Sequence, residues 1–367
     1  MNQPITPPSE TFSAQTLTST YSTDDLRDFE RHASPFLTVV LPSPSSHHDA
    51  AHRLAVHWKN ARRSVAAAGW PTDRLAELDD LVGGWRHGDG EAIVIVQSID
   101  GARLEETLVS AVMHPTTSID QWPRLLTILE NRQRTLPHIV VVTDRVGADV
   151  VGFDGGEPTT SVEVEGERLH IHRGHPGGWS QRRFQQRAEN TWEENADDVV
   201  DATIELASKL EPVFIAVAGE VRAQSMVEAG LRDRARIEIV SIEAGDVDGI
   251  STEVVRIVDD HHARFLRAAI RTLRERVGNG TGLVDDAVID ALRDGRVDIL
   301  FVHDVDDHDV DDHDGDDHDG ERVGTVETPC RRFADRAVGE ALSTGAHVVV
   351  IPHVSELSNG VAATPRW

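Results

Sequence analysis

Residues 174–187, GHPGGWSQRRFQQR, bring glycines, a glutamine amide and several arginines into one short segment. Glycine permits positive φ angles and close approach of the backbone to another molecule. An arginine guanidinium group binds phosphate oxygens through two parallel hydrogen bonds. Between Glu167 and Arg187 there are five arginines and one acidic residue, although the whole chain has a formal net charge of -27. The segment therefore predicts a local contact with phosphate groups.

The same arginines allow a second interpretation, in which they pair with nearby acids on a helix surface. Three glutamates follow within two turns, at Glu189, Glu193 and Glu194. Ion pairs between residues four apart are ordinary on helices. Gly174, Gly177 and Gly178 favour the binding interpretation, because a passive connector of this length rarely needs three such positions.

The repeat DDHDV-DDHDG-DDHDG, at residues 306–320, has Asp and His side chains that could bind a divalent cation. A calcium loop of the EF-hand type needs acidic residues at its positions 1, 3 and 5 before its glycine. Neither Gly315 nor Gly320 has that pattern before it. Residues 304–321 contain eleven acidic residues and no basic one, which is typical of a solvated loop. We therefore expect an acidic insert there, with weak divalent-cation binding as the alternative.

Other candidate sites lack the spacing that their chemistry needs. His170 and His172 alternate on an expected strand, close to His175, but the sequence places no further zinc ligand. Nucleophile elbows, Walker loops, His-Glu-x-x-His helices and dinucleotide fingerprints are absent from the sequence. We therefore expect ordinary surface histidines, no metal and no cofactor.

Length and composition predict a globular protein of two or three domains. The chain has 367 residues, of which 39% are hydrophobic and 27% charged. No apolar run approaches the roughly 18 residues that span a bilayer, and the first residues lack the features of a signal peptide. The single cysteine, Cys330, agrees with a reducing compartment. We therefore expect a cytoplasmic protein that does not bind membranes.

The charge balance restricts contact with nucleic acids to local patches. Lys59 and Lys209 are the only lysines, so 34 of the 36 basic residues are arginines. High acidity with little lysine suits hydration in concentrated salt, although arginine preference alone also fits a GC-rich genome. A strongly acidic surface opposes non-specific binding of nucleic acid, so we expect no DNA binding. Any RNA contact must come from a local basic patch.

The first third of the chain alternates strand-like and helical patterns. Residues 1–22 are rich in Ser, Thr and Pro and predict a disordered arm. Apolar segments predict strands, and helical spacing predicts two helices; these are strands 35–41, 91–98 and 102–109, and helices 49–68 and 71–83. The alternation predicts an N-terminal α/β domain at residues 23–135.

The central third predicts an antiparallel meander followed by alternating helices and strands. Four strand-like segments are separated by short gaps, at 138–143, 148–153, from 160, and 168–172. A long helix follows from Ser180 to Leu210, with apolar positions three to five residues apart. A strand, a helix and a strand come next, at 212–219, 220–230 and 235–242. This is the element order of an RNase H-like domain, which we place at residues 136–246.

The last third predicts a smaller α/β sandwich. A charged helix at 251–277 carries several arginines, at Arg264, Arg267, Arg271, Arg274 and Arg276. Two further helices, at 283–293 and 331–343, alternate with two strands, at 297–303 and 346–352. We place this domain at residues 250–367, interrupted by the acidic insert at 304–321.

Five segments resemble the release-factor-like proteins of the archaeal and eukaryotic type. Within that group the resemblance is to the bacterial and archaeal branch related to Vms/ANKZF-type peptidyl-tRNA hydrolases. The segments are SPFLTVVLP (34–42), TDRVGADVVGF (143–153), HPGGWSQRRFQQRAENTW (175–192), VFIAVAGEVRAQSMV (213–227) and TGLVDDAVIDALRDGRVDILFVHD (281–304). The resemblance covers about residues 30–367, and the loop at 175–192 is its most specific piece. The resemblance implies an α/β multidomain protein with an RNase H-like central domain that carries a catalytic loop. It also implies a C-terminal α/β/α sandwich similar to RNA-binding ribosomal proteins.

The resemblance assigns roles to the residues of the loop. Release factors carry Gly-Gly-Gln there, which enters the peptidyl-transferase centre and positions water on the ester between peptide and tRNA; the Vms-type branch has Gly-x-x-Gln. In this chain Gly177 and Gly178 match the glycines and Gln181 matches the glutamine, with Trp179 and Ser180 between them. The implied contacts with RNA come from Arg173, Trp179, Arg182, Arg183 and Arg187. Trp179 could stack on a base or pack on its own domain.

The implied function is a ribosome-associated peptidyl-tRNA hydrolase in the rescue of stalled ribosomes. Its partners would be the large ribosomal subunit and peptidyl-tRNA, and it would need no cofactor. Two alternatives stay open: a nuclease that cuts the acceptor end of tRNA, and a non-enzymatic ribosome-binding stress or dormancy factor. A free RNA-binding or metal-buffering protein is a weaker third. The N-terminal domain has no motif for reading codons, so we do not expect termination at stop codons.

Overall fold

A computed structural model describes most of the chain. The described residues are 21–42, 50–85, 90–112, 114–144, 147–154, 157–165, 180–303, 329–355, 357 and 359–366. Only the backbone is described at 50–51, 157, 165, 180–193 and 329–332. The acidic repeat, the three clustered histidines, the predicted strand at 168–172 and most of the predicted arm at 1–22 lie outside the described residues.

The N-terminal segment forms a four-stranded antiparallel sheet with helices. Its elements are α1 (Asp24–Glu30), β1 (Phe36–Pro42), α2 (Ala50–Ala67), α3 (Thr72–Gly84), β2 (Ala92–Ser98), β3 (Arg103–Leu108), β4 (Thr116–Asp120) and α4 (Leu126–Arg134). The strand order is β3-β2-β1-β4, and every neighbouring pair is antiparallel. Apolar residues of α2 and α3, including Trp58 and Leu78, pack on one face of this sheet.

The central segment forms a five-stranded mixed sheet. Its elements are β5 (His138–Thr143), β6 (Gly147–Asp154), β7 (Glu157–Glu165), α5 (Ser180–Leu210), β8 (Phe214–Gly219), α6 (Val221–Arg234), β9 (Glu238–Ser241) and the beginning of α7 (Val247–Gly278). The strand order is β7-β6-β5-β8-β9. Strands β5, β6 and β7 form an antiparallel meander, and β8 and β9 continue the sheet in parallel with β5. Three of the four predicted meander strands, and the long helix, strand, helix and strand that follow them, are therefore confirmed.

The C-terminal segment forms a second four-stranded sheet. Its elements are β10 (Leu283–Val284), α8 (Asp286–Arg293), β11 (Val297–His303), α9 (Pro329–Thr344), β12 (His347–Ile351) and β13 (Val361–Pro365). The strand order is β10-β13-β11-β12. Ile299 and Phe301 face α7, whose Ala269 is buried against them. Leu300 and Val302 face the opposite core, which includes α8 and α9. The segment is thus an α/β/α sandwich.

The described chain divides into two compact units. The split unit consists of Met1–Gln133 and Phe265–Trp367, and the inserted unit consists of Arg134–Arg264. Within the split unit, Leu26 and Leu129 from the N-terminal segment share one buried core with Leu300 and Leu342 from the C-terminal segment. The two sheets of the split unit are therefore joined by a common core. The α/β multidomain architecture is confirmed, while the three domain boundaries stay predictions.

Candidate functional site

Helix α5 begins at Ser180, directly after the predicted loop. Gln181, Arg182, Arg183 and Arg187 lie in the first eight residues of this 31-residue helix. Their backbone is described and their side chains are not. Gly177, Gly178, Arg173 and Trp179 lie outside the described residues. The structure therefore places four of the eight predicted site residues on two consecutive turns of one helix.

The C-terminal half of α5 is anchored on the central sheet. Val199, Val200, Leu206 and Ala207 are buried there against apolar residues of β5, β6 and β8. The first buried residue described on the helix is Asn195. An α-helix rises about 1.5 Å per residue, so Gln181 lies about 21 Å from Asn195 along the axis. One continuous helix therefore links a fixed base on the sheet to the predicted catalytic glutamine.

The first turn of α5 concentrates positive charge. It contains no acidic residue, and residues 182 and 183 are both arginines. The unpaired N–H groups at a helix N-terminus add a partial positive charge. The partial charge of the helix N-terminus and the charges of the arginines are therefore both positive here, and both favour an anionic partner.

A small cleft lies where β5 and β8 end. It is lined by residues including Thr143, Asp144, Asn195 and Glu220, with about 10 Å³ of space, enough for about one water molecule. The carboxyl ends of parallel strands are a common place for ligands. In this cleft, however, Asp144 Oδ1 accepts a hydrogen bond from the Gly147 N–H at 2.9 Å. Sequence reasoning did not select these residues.

Glu220 in the same cleft caps helix α6. Its Oε2 accepts hydrogen bonds from the backbone N–H groups of Arg222 at 3.2 Å and Ala223 at 3.1 Å. The residue before it, Gly219, has φ of +124°, and a Cβ there would lie 1.9 Å from the carbonyl oxygen of Thr143. Only glycine fits this junction. The carboxylates of Asp144 and Glu220 thus both accept hydrogen bonds from the backbone. These contacts indicate a structural role in connecting the strands to the segments that follow them.

Four stacked rings form a column in the inserted unit. Phe153 stacks on His138 with centroids 4.7 Å apart, His138 on Phe214 at 5.1 Å, and Phe214 on His261 at 5.0 Å. His138 Nδ1 donates to the carbonyl oxygen of Leu136 at 2.7 Å. Its Nε2 is buried without a hydrogen-bond partner among the described residues. Burial lowers the pKa of His138, which favours the neutral ring. We therefore assign this histidine a packing role between β5 and its neighbours β6 and β8.

Metal sites and membrane helices are absent from the described part of the chain. Its residues include no group of three or more His, Cys, Asp or Glu side chains that could hold a metal ion. No helix in the described ranges is long and apolar enough to cross a membrane. The acidic repeat at 306–320 lies outside these ranges, so the solvated acidic insert stays a prediction, with weak cation binding as its alternative.

Comparison with known proteins identifies one family. The family model described as bacterial archaeo-eukaryotic release factor family 2 matches residues 137–280. This range contains the central sheet, α5 and the whole of α7. The uncharacterized proteins MT2704 and Rv2629 of Mycobacterium tuberculosis are each 23% identical over 280 residues, which cover 73% of this chain and 74% of theirs.

Two solved structures are similar over much of the chain. Dom34 of S. cerevisiae, a termination-like factor involved in RNA quality control that interacts with Hbs1, is 12% identical over 75% of this chain and 79% of its own, with a TM-score of 0.38. Archaeal Pelota, in a ribosome-bound structure with ABCE1, is 15% identical over 95% of each chain, with a TM-score of 0.39.

The predicted relation to the Vms/ANKZF-type branch is finer than this match and stays a prediction. The wider resemblance, which was carried by the loop and the segments around it, agrees with the matched range. Residues 137–280 of the chain therefore match the model of a release-factor-like family.

Proposed function

We propose that this protein is a ribosome-associated hydrolase that releases the nascent peptide from peptidyl-tRNA on stalled ribosomes. One observation supports the proposal: Gln181 lies in the first turn of a 31-residue helix, three residues after Gly178 in the sequence and within the range of the release-factor family match. The partners would be the large ribosomal subunit and peptidyl-tRNA, in the cytoplasm. No cofactor, DNA or membrane is required.

The ester between peptide and tRNA can be hydrolysed by positioning alone. The reaction needs a water molecule held against the carbonyl carbon and a donor for the developing oxyanion. The Gln181 amide can both donate to and accept from that water. Glutamine does not titrate in the physiological range, so this chemistry needs no acid–base pair.

The other predicted site residues between 173 and 187 would hold the amide in place. Gly177 and Gly178 permit close approach of the backbone to RNA. Arg173, Arg182, Arg183 and Arg187 would bind phosphates of tRNA or ribosomal RNA, and Trp179 would stack on a base. The anchored half of α5 would fix the direction from which Gln181 enters the site.

The test is release of a labelled peptide from stalled large-subunit complexes, in salt that keeps the protein folded. We expect Gln181→Ala to lower the release rate at least about 100-fold, the usual cost of losing one positioned transition-state contact. Gln185→Ala is the matched control, because it removes the same amide one turn later. Release by Gln181→Ala at the wild-type rate would falsify the proposal.

The same reaction distinguishes ester hydrolysis from cleavage of the tRNA. Hydrolysis leaves the 3′ end of the tRNA intact, whereas a nuclease shortens it. Sequencing of the 3′ end after the reaction therefore separates the two. A shortened end that depends on Gln181 would replace our proposal with the nuclease.

A second candidate function is a non-enzymatic ribosome-binding stress or dormancy factor. It is favoured by Trp179 and Ser180, which separate Gly178 from Gln181 and depart from the Gly-Gly-Gln spacing. Such a factor would protect ribosomes stoichiometrically. Gln181→Ala would leave that protection unchanged, and Arg182→Glu combined with Arg183→Glu would abolish it.

A further inference from the structure

The second half of helix α7 carries three arginines on one face. Arg267, Arg271 and Arg274 are all exposed, and we call them the arginine face. Successive helix residues are about 100° apart, so the spacing of four and three places these side chains within about 60° of each other. Ala269 and Leu273 are buried on the other side of the helix, against the C-terminal sheet. The fold therefore presents this face to solvent.

Two arginines of the face are not neutralised by the acidic protein around them. Arg267 and Arg271 make no ion pair with any residue that the structure describes. Earlier on the same helix, Arg256 pairs with Glu253 at 2.9 Å and with Asp260 at 3.1 Å. From residue 261 to residue 274 the helix contains four arginines and no acid. In a chain with a net charge of -27, this is a second local concentration of positive charge.

The chemistry of the face fits RNA phosphates better than an acidic protein. Protein interfaces have apolar and aromatic residues at their centre. The large exposed hydrophobic residues in the described chain lie elsewhere, and on α7 they are Val247 and Val255. Arginine forks match phosphate oxygens. The face extends about 10 Å along the helix from Arg267 to Arg274, so the three guanidinium groups can contact neighbouring phosphates of one strand.

We propose that the arginine face binds the phosphate backbone of RNA, as a contact separate from the segment at 174–187. The occupant is an RNA strand in a folded or duplex region, contacted through phosphates without base recognition. The inference relies on the proposed function only for the source of that RNA, which would be the ribosome. The face lies within the range matched by the family model.

The test compares two single charge reversals on one helix. Arg271→Glu lies in the arginine face. Arg276→Glu changes the net charge equally, at an exposed arginine about 140° around the helix that also has no ion pair among the described residues. Affinity is measured by fluorescence anisotropy of a labelled RNA duplex with the full chain. We expect Arg271→Glu to weaken binding about tenfold or more and Arg276→Glu less than twofold.

Further variants separate electrostatics from folding. Arg271→Lys keeps the charge and should retain most of the affinity, whereas Arg271→Gln, which adds no acid, should lose several-fold. The difference in RNA affinity between wild type and Arg271→Glu should shrink as the KCl concentration is raised, because phosphate contacts release counterions. A difference that does not depend on KCl would overturn the proposal.

The outcomes also separate this inference from the proposed function. Equal loss of affinity in Arg271→Glu and Arg276→Glu, or no binding of the duplex by wild type, removes the inference even when release depends on Gln181. Conversely, a loss of RNA affinity in Arg271→Glu but not in Arg276→Glu supports the RNA contact even when Gln181→Ala releases peptide normally.

Discussion

At the scale of single residues, the Gln133 amide makes hydrogen bonds to the backbone at the edge of the C-terminal sheet. Its Nε2 donates to the carbonyl oxygen of Val350 at 2.7 Å, and the Val350 N–H donates to its Oε1 at 3.0 Å. Among the described strands, β12 is at the end of its sheet, so Val350 has no neighbouring strand on that side in this part of the chain. One buried side chain thus supplies both hydrogen bonds that a further strand would make.

We expect Gln133→Leu to lower the free energy of unfolding by about 2 kcal/mol or more. The substitution leaves a buried N–H and a buried C=O without partners, and each unsatisfied group costs about 1–3 kcal/mol. Gln121→Leu is the control, because Gln121 is exposed and should change stability by less than about 0.5 kcal/mol. Urea unfolding measures both, and equal values for the two variants would contradict the assignment.

The sequence alone could select single candidate residues only where they lie close together in the chain. Gly177, Gly178 and Gln181 were selected because they lie within five residues of each other and resemble the release-factor motif, and their roles stay predictions. The contact between Gln133 and Val350 joins residues 217 positions apart, and no local pattern indicates it. The same is true of His138, which stacks between rings from two other strands.

At the scale of elements, periodicity predicted the long helix well. The helix was expected from Ser180 to Leu210 and has those bounds, because its apolar residues recur at helical spacing along its whole length. Strands β4 and β13 were missed. Their sequences, TTSID and VAATP, are short and contain few large apolar residues, so partners distant in sequence determine their conformation.

We expect Glu194→Pro in α5 to reduce peptide release at least tenfold. Proline removes an N–H and its ring clashes with the preceding turn, which kinks or breaks a helix at a cost of about 3 kcal/mol. The break would come between the anchored half and Gln181. Glu194→Ala is the matched control at this exposed position and should release peptide normally.

Hydrogen exchange distinguishes a kinked helix from an unfolded domain. Amides of β5 and β8 should stay protected in Glu194→Pro. Normal release by this variant would mean that a continuous helix is not needed to position the glutamine. Loss of protection in both strands would instead trace the lost release to unfolding.

At the scale of the whole molecule, the net charge of -27 should make stability depend on salt. Repulsion among like charges destabilises a compact state, and salt screens it. We expect the midpoint of thermal unfolding to rise by at least about 3 °C between low and molar KCl, which corresponds to roughly 1 kcal/mol. Sucrose at equal osmolality does not screen charge and should raise it less. A midpoint that is equal at low and high KCl would contradict this expectation.

The division of the split unit also constrains the order in which the protein can fold during synthesis. Its sheet has β13 (Val361–Pro365) between β10 and β11, and Val361 lies in the core shared with Leu26. The apolar residues that the N-terminal segment contributes to this core therefore stay incompletely buried while the inserted unit and most of the C-terminal segment are translated. The inserted unit has its own core and can fold on emerging. A ribosome that stalls before codon 361 would hold a chain with a folded inserted unit and an incomplete split unit.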